Sequence, residues 1–483
     1  MSQHKAPSTR GDGSAVVAVL AFTGIVVSVM QTLVIPLLVE LPALLHTSSA
    51  NASWVITATL LAGAVAVPVT GRLGDMYGKR RLIFVSLGLL IAGSLLCGLT
   101  SGVLPMVVGR SLQGAAMGVI PLGISVMRDV LAPQRMGSAV ALMSASLGVG
   151  GSLGLPAAAL VAQHFNWHVL FLGSAALGVV SAVLIAFVVP ESPVRAVGRF
   201  DLIGALGLAA GLISLLLAVS KGGDWGWGSA TTLGLFAAAP VILLAWGWFE
   251  LRAGEPLVDL RITAGRQVLL TNIASVAIGF AMFAMSLILP QLLQLPKATG
   301  YGLGQSMVVA GLCLAPGGLV MMAVSPVSAW ISKARGPKTS LMLGAAVIGV
   351  GYALALVLVH AVWQVIIVTC VIGAGIAIAY AAMPALIMAS VPLSETASAN
   401  GFNSLTRSIG TSVAGAVIGV VLAATTTPFG GIPLASMTGF RISFLIATGA
   451  SLLAMLTAAL LPNNRPQQPA QRTSPPIKVT EPA

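Results

Sequence analysis

Gly71-Arg72-Leu73-Gly74-Asp75-Met76-Tyr77-Gly78-Lys79-Arg80-Arg81 places one acid among four bases and three glycines. Glycines at this spacing permit a tight turn and close approach of helices. Asp75, ringed by positive charge, is placed to pair across helices or to cap a helix N-terminus. The runs on either side, 54–70 and 82–101, are apolar and near the roughly 20 residues that a helix needs to cross hydrocarbon. A polar knot between two such runs reads as the connection between membrane spans.

Working outward, the whole chain follows that pattern. Of its 483 residues, 57% are hydrophobic and 7% charged, with a mean hydropathy of +1.00. A soluble domain carries roughly a quarter charged residues, so a water-exposed globule is excluded. Fourteen spans are predicted: 15–39, 54–70, 82–101, 105–127, 138–162, 167–190, 202–220, 230–249, 268–293, 303–330, 339–360, 363–390, 398–424 and 441–462. With that count, 19 of the 24 Lys and Arg residues fall on the side of the two termini, and only Lys221, Lys297 and Arg441 fall opposite. Arg110 and Arg407 lie inside spans. Basic loops mark the cytoplasmic face, so both termini are expected in the cytoplasm of a multi-pass plasma or inner membrane protein. The net charge of +12 is thereby a record of topology, and nucleic acid is not an expected partner. The first span is too long for a cleavable leader and is expected to remain a helix. Cys97, Cys313 and Cys370 sit within spans at no metal spacing, and no metal or cofactor is expected.

An internal repeat organises the spans. Pro36, Pro68 and Pro121 fall in spans 1, 2 and 4, and Pro290, Pro316 and Pro384 fall at similar depths in spans 9, 10 and 12. Arg335-Gly336-Pro337-Lys338 is a degenerate counterpart of Tyr77-Gly78-Lys79-Arg80. The expected division is a tail (1–14), a six-helix half (15–190), a two-helix insertion with its linkers (191–267), a second six-helix half (268–462) and a polar, Pro-rich tail (463–483) expected to be disordered. Two such halves place a substrate path between them.

Two further strings carry polar chemistry. In Arg110-Ser111-Leu112-Gln113-Gly114, an arginine inside a span costs several kcal/mol unless it reaches the interface or faces a wet cavity. Gln113, three residues on and on the same helix face, favours the cavity. In Gly148-Val149-Gly150-Gly151-Ser152-Leu153-Gly154-Leu155-Pro156, small residues at every fourth position let helices touch. Asp129 and Arg135 flank the turn between spans 4 and 5, where they would form a second latch or stand as a solvated pair.

The stretch Gly71–Arg81 resembles the loop signature of the major facilitator superfamily, and Arg110…Gly114 resembles its second signature. The Gly148–Pro156 string is similar to the antiporter signature, with Gly150 and Gly154 in place but Pro156 one position late. Trp54-Val55-Ile56-Thr57, Arg199-Phe200-Asp201, Leu289–Gln294, Ala310–Pro316 and the Asn403…Arg407…Gly410 pattern resemble the fourteen-helix drug:proton antiporter branch. The resemblance implies an all-α major facilitator fold of two pseudo-symmetric six-helix halves plus a two-helix insertion. It implies a latch built from Gly71, Gly74, Asp75, Gly78, Lys79 and Arg80 (with Asp129 and Arg135 as its second part) that meets the start of a helix near Ser394–Asn403. It also implies proton coupling at Asp75, Arg110 or Glu40, with Asp129 a further candidate and His164 and His168 weaker ones. Where many multidrug members carry an acid in span 1, this chain has Val27, and none of its twelve acids lies near the middle of a span. The inferred cavity offers Gln31, Thr32, Arg110, Gln113, Asn272, Gln291, Gln294, Tyr380, Asn403 and Arg407, an inventory suited to neutral or anionic amphipathic cargo. The expected function is export of a small organic molecule, a drug, antibiotic or metabolite, against protons by a monomer. Uptake of a metabolite with protons and a transport-inactive membrane sensor remain open. No enzymatic constellation and no phosphate-cradling loop is present in the sequence.

Overall fold

A computed structural model of the chain describes residues 12–34, 37, 40–196, 198–429 and 432–462. Both expected tails, except for residues 12–14, and Pro36 lie outside the described residues. Fourteen helices long and apolar enough to cross a membrane are present among them: α1 (Asp12–Thr32), α2 (Trp54–Tyr77), α3 (Lys79–Leu99), α4 (Val103–Val130), α5 (Pro133–His164), α6 (His168–Val188), α7 (Leu202–Trp225), α8 (Ala230–Glu250), α9 (Arg266–Gln294), α10 (Met307–Arg335), α11 (Pro337–Ala355), α12 (Val362–Met388), α13 (Thr396–Ala424) and α14 (Met437–Ala459). Helices satisfy every internal backbone group within one segment, which is what hydrocarbon demands. α4 is broken by a 3-10 turn at Ala116–Gly118. That turn sits just ahead of Pro121, whose ring displaces the carbonyl four residues back.

Two details depart from expectation. The Gly71–Arg81 stretch is not a loop: α2 runs through Asp75 to Tyr77, and Gly78 alone, at φ +112°, separates it from α3. Only glycine adopts that backbone without strain. Gly336, at φ +88°, makes the same one-residue break between α10 and α11. The chain is also not wholly helical, because Thr426–Phe429 and Ile432–Ala435 pair as a short antiparallel hairpin ahead of α14.

The helix packing repeats. In the first half α1 packs on α5 and α6, while α3 packs on α4 and α6 and α2 packs on α4. In the second half α9 packs on α13 and α14, while α11 packs on α12 and α14 and α10 packs on α12. Adding eight to each helix number converts one set into the other. The halves meet along two seams that obey the same rule, α5 on α10 and α2 on α13. Both seams are built from small residues. A Cβ on Gly311 would lie 3.2 Å from the Pro156 nitrogen, and one on Gly401 would lie 3.0 Å from the Val67 carbonyl oxygen. Helices α7 and α8 form a separate pair. α7 lies across the second seam, touching both α2 and α13, and α8 packs chiefly on α7 with most of its surface facing outward.

Packing this close makes glycine positions unequal. On α13 a Cβ at Gly410 would strike the Val276 carbonyl of α9, whereas at Gly419 it would meet open space. Gly410→Val is therefore expected to cost about 1–3 kcal/mol or to prevent folding, and Gly419→Val to stay within about 0.5 kcal/mol. Thermal unfolding of the detergent-purified chain distinguishes them, and equal melting temperatures would contradict the packing.

Candidate functional site

At the end of the bundle that carries the Gly78 and Gly336 turns, the basic end, the N-terminal half grips the turn between α12 and α13. The first N–H groups of a helix have no partner within it, and Glu395, which precedes α13, makes no side-chain cap. Asp75 supplies the cap from the other half of the molecule. Its Oδ1 accepts from the Ala397 N–H at 3.2 Å and its Oδ2 from the Ser398 N–H at 2.8 Å, with the side chain fully buried. The positive end of the helix dipole faces the same carboxylate. Gly71 allows the approach, since a Cβ there would come within 2.6 Å of the Ala397 carbonyl oxygen.

Arg128, from the last turn of α4, treats the preceding helix in the complementary way. Its guanidinium donates to the Met388 carbonyl at 2.6 Å and the Val391 carbonyl at 3.1 Å, and it also bonds the Thr396 hydroxyl. The Met388 carbonyl ends α12, where cations are favoured, and Val391 lies in the turn just beyond it. Lys79 lies between two acids, 3.7 Å from Asp75 Oδ1 and directly bonded to Asp129, with all three side chains buried. Asp129 also accepts from Ser192, and the Asp75 carbonyl accepts from the Ala196 N–H at 2.7 Å, so the linker after α6 closes over the group. Arg80 is turned away to the Ala186 carbonyl, and Gly74 packs beneath Leu122.

The expected Asp129–Arg135 pair is not formed. Arg135 bonds Ser14, and Asp129 is taken by Lys79. Sequence reasoning also missed Arg128. A basic residue at the end of a span had been accounted for as topology alone.

A second polar group occupies the middle of the molecule. A small cavity, with about 10 Å³ open to a water-sized sphere, lies between α4 and α5 of one half and α12 and α13 of the other. Its polar lining is Ser144, Asn400, Asn403, Ser404, Arg407 and Tyr380, one cation and no carboxylate. Arg407 lies over the Tyr380 ring at 4.9 Å and bonds Asn403 Oδ1 and Ser404 Oγ. Asn403 donates to Asn272 Oδ1 and Ser275 Oγ, at 2.8 and 2.7 Å, so Asn272 stands behind the lining. The Ser144 hydroxyl crosses between the halves to the Tyr380 carbonyl at 3.3 Å. Ser144, Asn400 and Ser404 were not anticipated; short polar residues on an apolar helix are the signal that could have marked them.

The remaining expected residues are elsewhere. Arg110 neither reaches the surface nor faces this cavity. It is buried inside the N-terminal half, donating to the Met30 carbonyl of α1 at 3.0 Å and to Gln113 Oε1 at 2.7 Å, while Gln113 donates to Ser94 of α3. Gln31 and Thr32 are partly buried at the far end of α1, Thr32 against Gly154. Gln291 and Gln294 are exposed on the final turn of α9, and Glu40 is exposed ahead of a short helix, so none of the three joins the central group. Gly150 and Gly154 pack against α1, and Pro156 against α10. Among the described residues no cluster could hold a metal ion.

Residues 20–415 match the Major Facilitator Superfamily. The multidrug resistance protein Stp of Mycobacterium tuberculosis is 26% identical over 374 residues, 77% of this chain and 68% of that one. A multidrug resistance protein B homolog of the same organism is 28% identical over 313 residues, 63% of this chain but only 56% of its own length. Among solved structures, the human organic anion transporter TETRAN superposes with a TM-score of 0.65 at 13% identity, over 93% of this chain and 100% of that one.

Each helix-end contact at the basic end is a charge-assisted bond worth about 1.5–3 kcal/mol. Asp75→Asn and Arg128→Gln are therefore each expected to speed hydrogen exchange of the Ala397 and Ser398 amides by at least about tenfold. Arg135→Gln, which loses only Ser14, should leave those amides unchanged. Unaltered exchange in Asp75→Asn would contradict the cap.

Proposed function

Because the chain belongs to the Major Facilitator Superfamily, we propose that it exports small amphipathic organic molecules by proton antiport with alternating access. The observation that carries this reading is the central cavity. It lies between the two halves, presents Arg407 against an aromatic ring, and contains no acid. A half-buried cation without a carboxylate partner favours anionic or neutral cargo and disfavours organic cations. The cavity has room for about one water, far less than the roughly 300–1,000 Å³ typical of ligand sites, as expected of a form closed at the basic end. The multidrug-resistance names of the two relatives support the export direction.

The basic end is assigned to the cytoplasm on the distribution of lysine and arginine, which places both termini there. Asp75 would act as gate and proton acceptor together, with Asp129 and Lys79 adjusting its charge. A proton on Asp75 removes the anion that the α13 N–H groups bind, and so weakens closure. Arg110, fixed between α1, α2, α3 and α4, would keep the N-terminal half rigid while it rocks. The enclosing surface is apolar, and the transporter is read as a monomer in the bilayer that uses no cofactor.

Transport into inverted vesicles tests the reading. Imposed proton gradients should drive uptake of acidic and neutral amphipathic compounds in exchange for protons, and Arg407→Gln should slow the acidic ones at least about tenfold while sparing the neutral ones. Faster movement of ethidium-like cations would overturn the cargo class. Co-movement of protons and substrate would replace export with uptake.

A further inference from the structure

Helices α7 and α8 bring together two carboxyl groups that the site above does not use. Asp201 caps α7, its Oδ1 accepting the Gly204 N–H at 2.7 Å. Glu250 ends α8, is 2% exposed, and accepts the Val258 N–H on Oε1 at 3.0 Å. The other two oxygens, Asp201 Oδ2 and Glu250 Oε2, are buried without a donor. They converge over Gly204, where a Cβ would collide with both, Glu250 Oε2 lying 2.9 Å from it.

The charges nearby, among the described residues, do not pair with these two groups, although Arg72 Nε is itself buried without a hydrogen-bond partner. Arg252 stacks on the Trp248 ring at 3.9 Å, Glu255 accepts from the Arg199 N–H, and Asp259 caps Arg261 and Ile262. From the adjoining elements, Arg72 of α2 and Glu395 ahead of α13 neighbour each other. Among the described residues neither Asp201 nor Glu250 forms an ion pair. Two carboxylate oxygens buried side by side lack any donor, and one proton between them supplies the donor that both lack.

We propose that Asp201 and Glu250 form a proton-binding site in the two-helix insertion, one proton bridging Asp201 Oδ2 and Glu250 Oε2. The site is connected to the gate through the segment after α8. Glu250 holds Val258, the Leu257 carbonyl accepts from the Ser398 hydroxyl at 3.3 Å, and the Ser398 N–H is bound by Asp75. Release of the proton to water sets two like charges against each other and frees residues 254–260 from Ser398. The insertion thus transmits bulk pH to closure of the basic end. This inference depends on neither the cargo nor the direction of transport.

Infrared spectra of the full chain in lipid nanodiscs test it. The wild type minus Glu250→Gln difference spectrum should show a protonated-carboxyl C=O stretch at neutral pH that disappears as pH rises, and wild type minus Asp201→Asn should show the same band. Protection factors of the Leu257, Val258 and Asp259 amides, corrected for intrinsic exchange, should fall about tenfold over that pH range in the wild type. They should stay level in Glu250→Gln, whose amide donates to Asp201 at every pH. Asp201→Asn keeps the helix cap and serves if Glu250→Gln does not fold. No band in either difference spectrum would overturn the proposal. So would a wild-type band that sodium removes at constant pH, which would mark a metal-cation site.

Discussion

A helix end buried inside a membrane protein must find hydrogen-bond partners or forfeit several kcal/mol. In this chain the turn between α12 and α13 finds them in the opposite half. Asp75 takes free N–H groups of α13 and Arg128 takes the last carbonyl of α12 and one from the turn itself, so an acid and a base satisfy the two poles of one turn. Neither charge could be buried alone, and neither helix end could be left open alone. Closure of the basic end is therefore a mutual condition of the two halves.

The rest of the architecture accommodates that condition. The repeat leaves two seams, at each of which a glycine lets helices of the two halves touch. Between them lies a cavity lined by both halves, with most of its polar groups from α12 and α13. α7 spans the seam on which Asp75 acts and buries Leu208 and Leu212 in the same apolar cluster as Ala64 of α2 and Leu405 of α13. A helix pair packed across that seam ties the insertion to both halves. The Leu257–Ser398 contact gives it a direct hold on the same turn.

Much of the fold was legible in the sequence because hydrocarbon imposes length and apolarity on each span, and lysine and arginine record the sidedness. Pro68/Pro316 and Pro121/Pro384 occupy matching helices, as the repeat required. The Asp75 contact near Ser394–Asn403 was legible only through the family resemblance, since an acid among bases can be neutralised by its own neighbours, as Lys79 shows. What was illegible depended on direction. Arg110 and Gln113 share a helix face, but the sequence does not say whether that face meets a cavity or the carbonyl of Met30. Gln291 and Gln294 are polar near a span end, which describes both a cavity mouth and a surface turn. Asp129 chose Lys79 over Arg135 because the single-residue break at Gly78 starts α3 beside α4, a consequence of one backbone angle. The helical continuation through Gly71 and Gly74 escaped notice for a related reason: glycine reads as turn chemistry in water but as close packing between membrane helices.

The central claim is that the two halves separate at the basic end when the Asp75 contact is released. Tyr77 and Leu393 are exposed on opposite sides of that contact. Spin labels at Tyr77→Cys and Leu393→Cys, with the three native cysteines replaced, report the gap directly by pulsed electron resonance in nanodiscs. The account predicts two distance populations, with acid pH shifting weight to the longer one. A single short distance, insensitive to pH and to transported compounds, would contradict it.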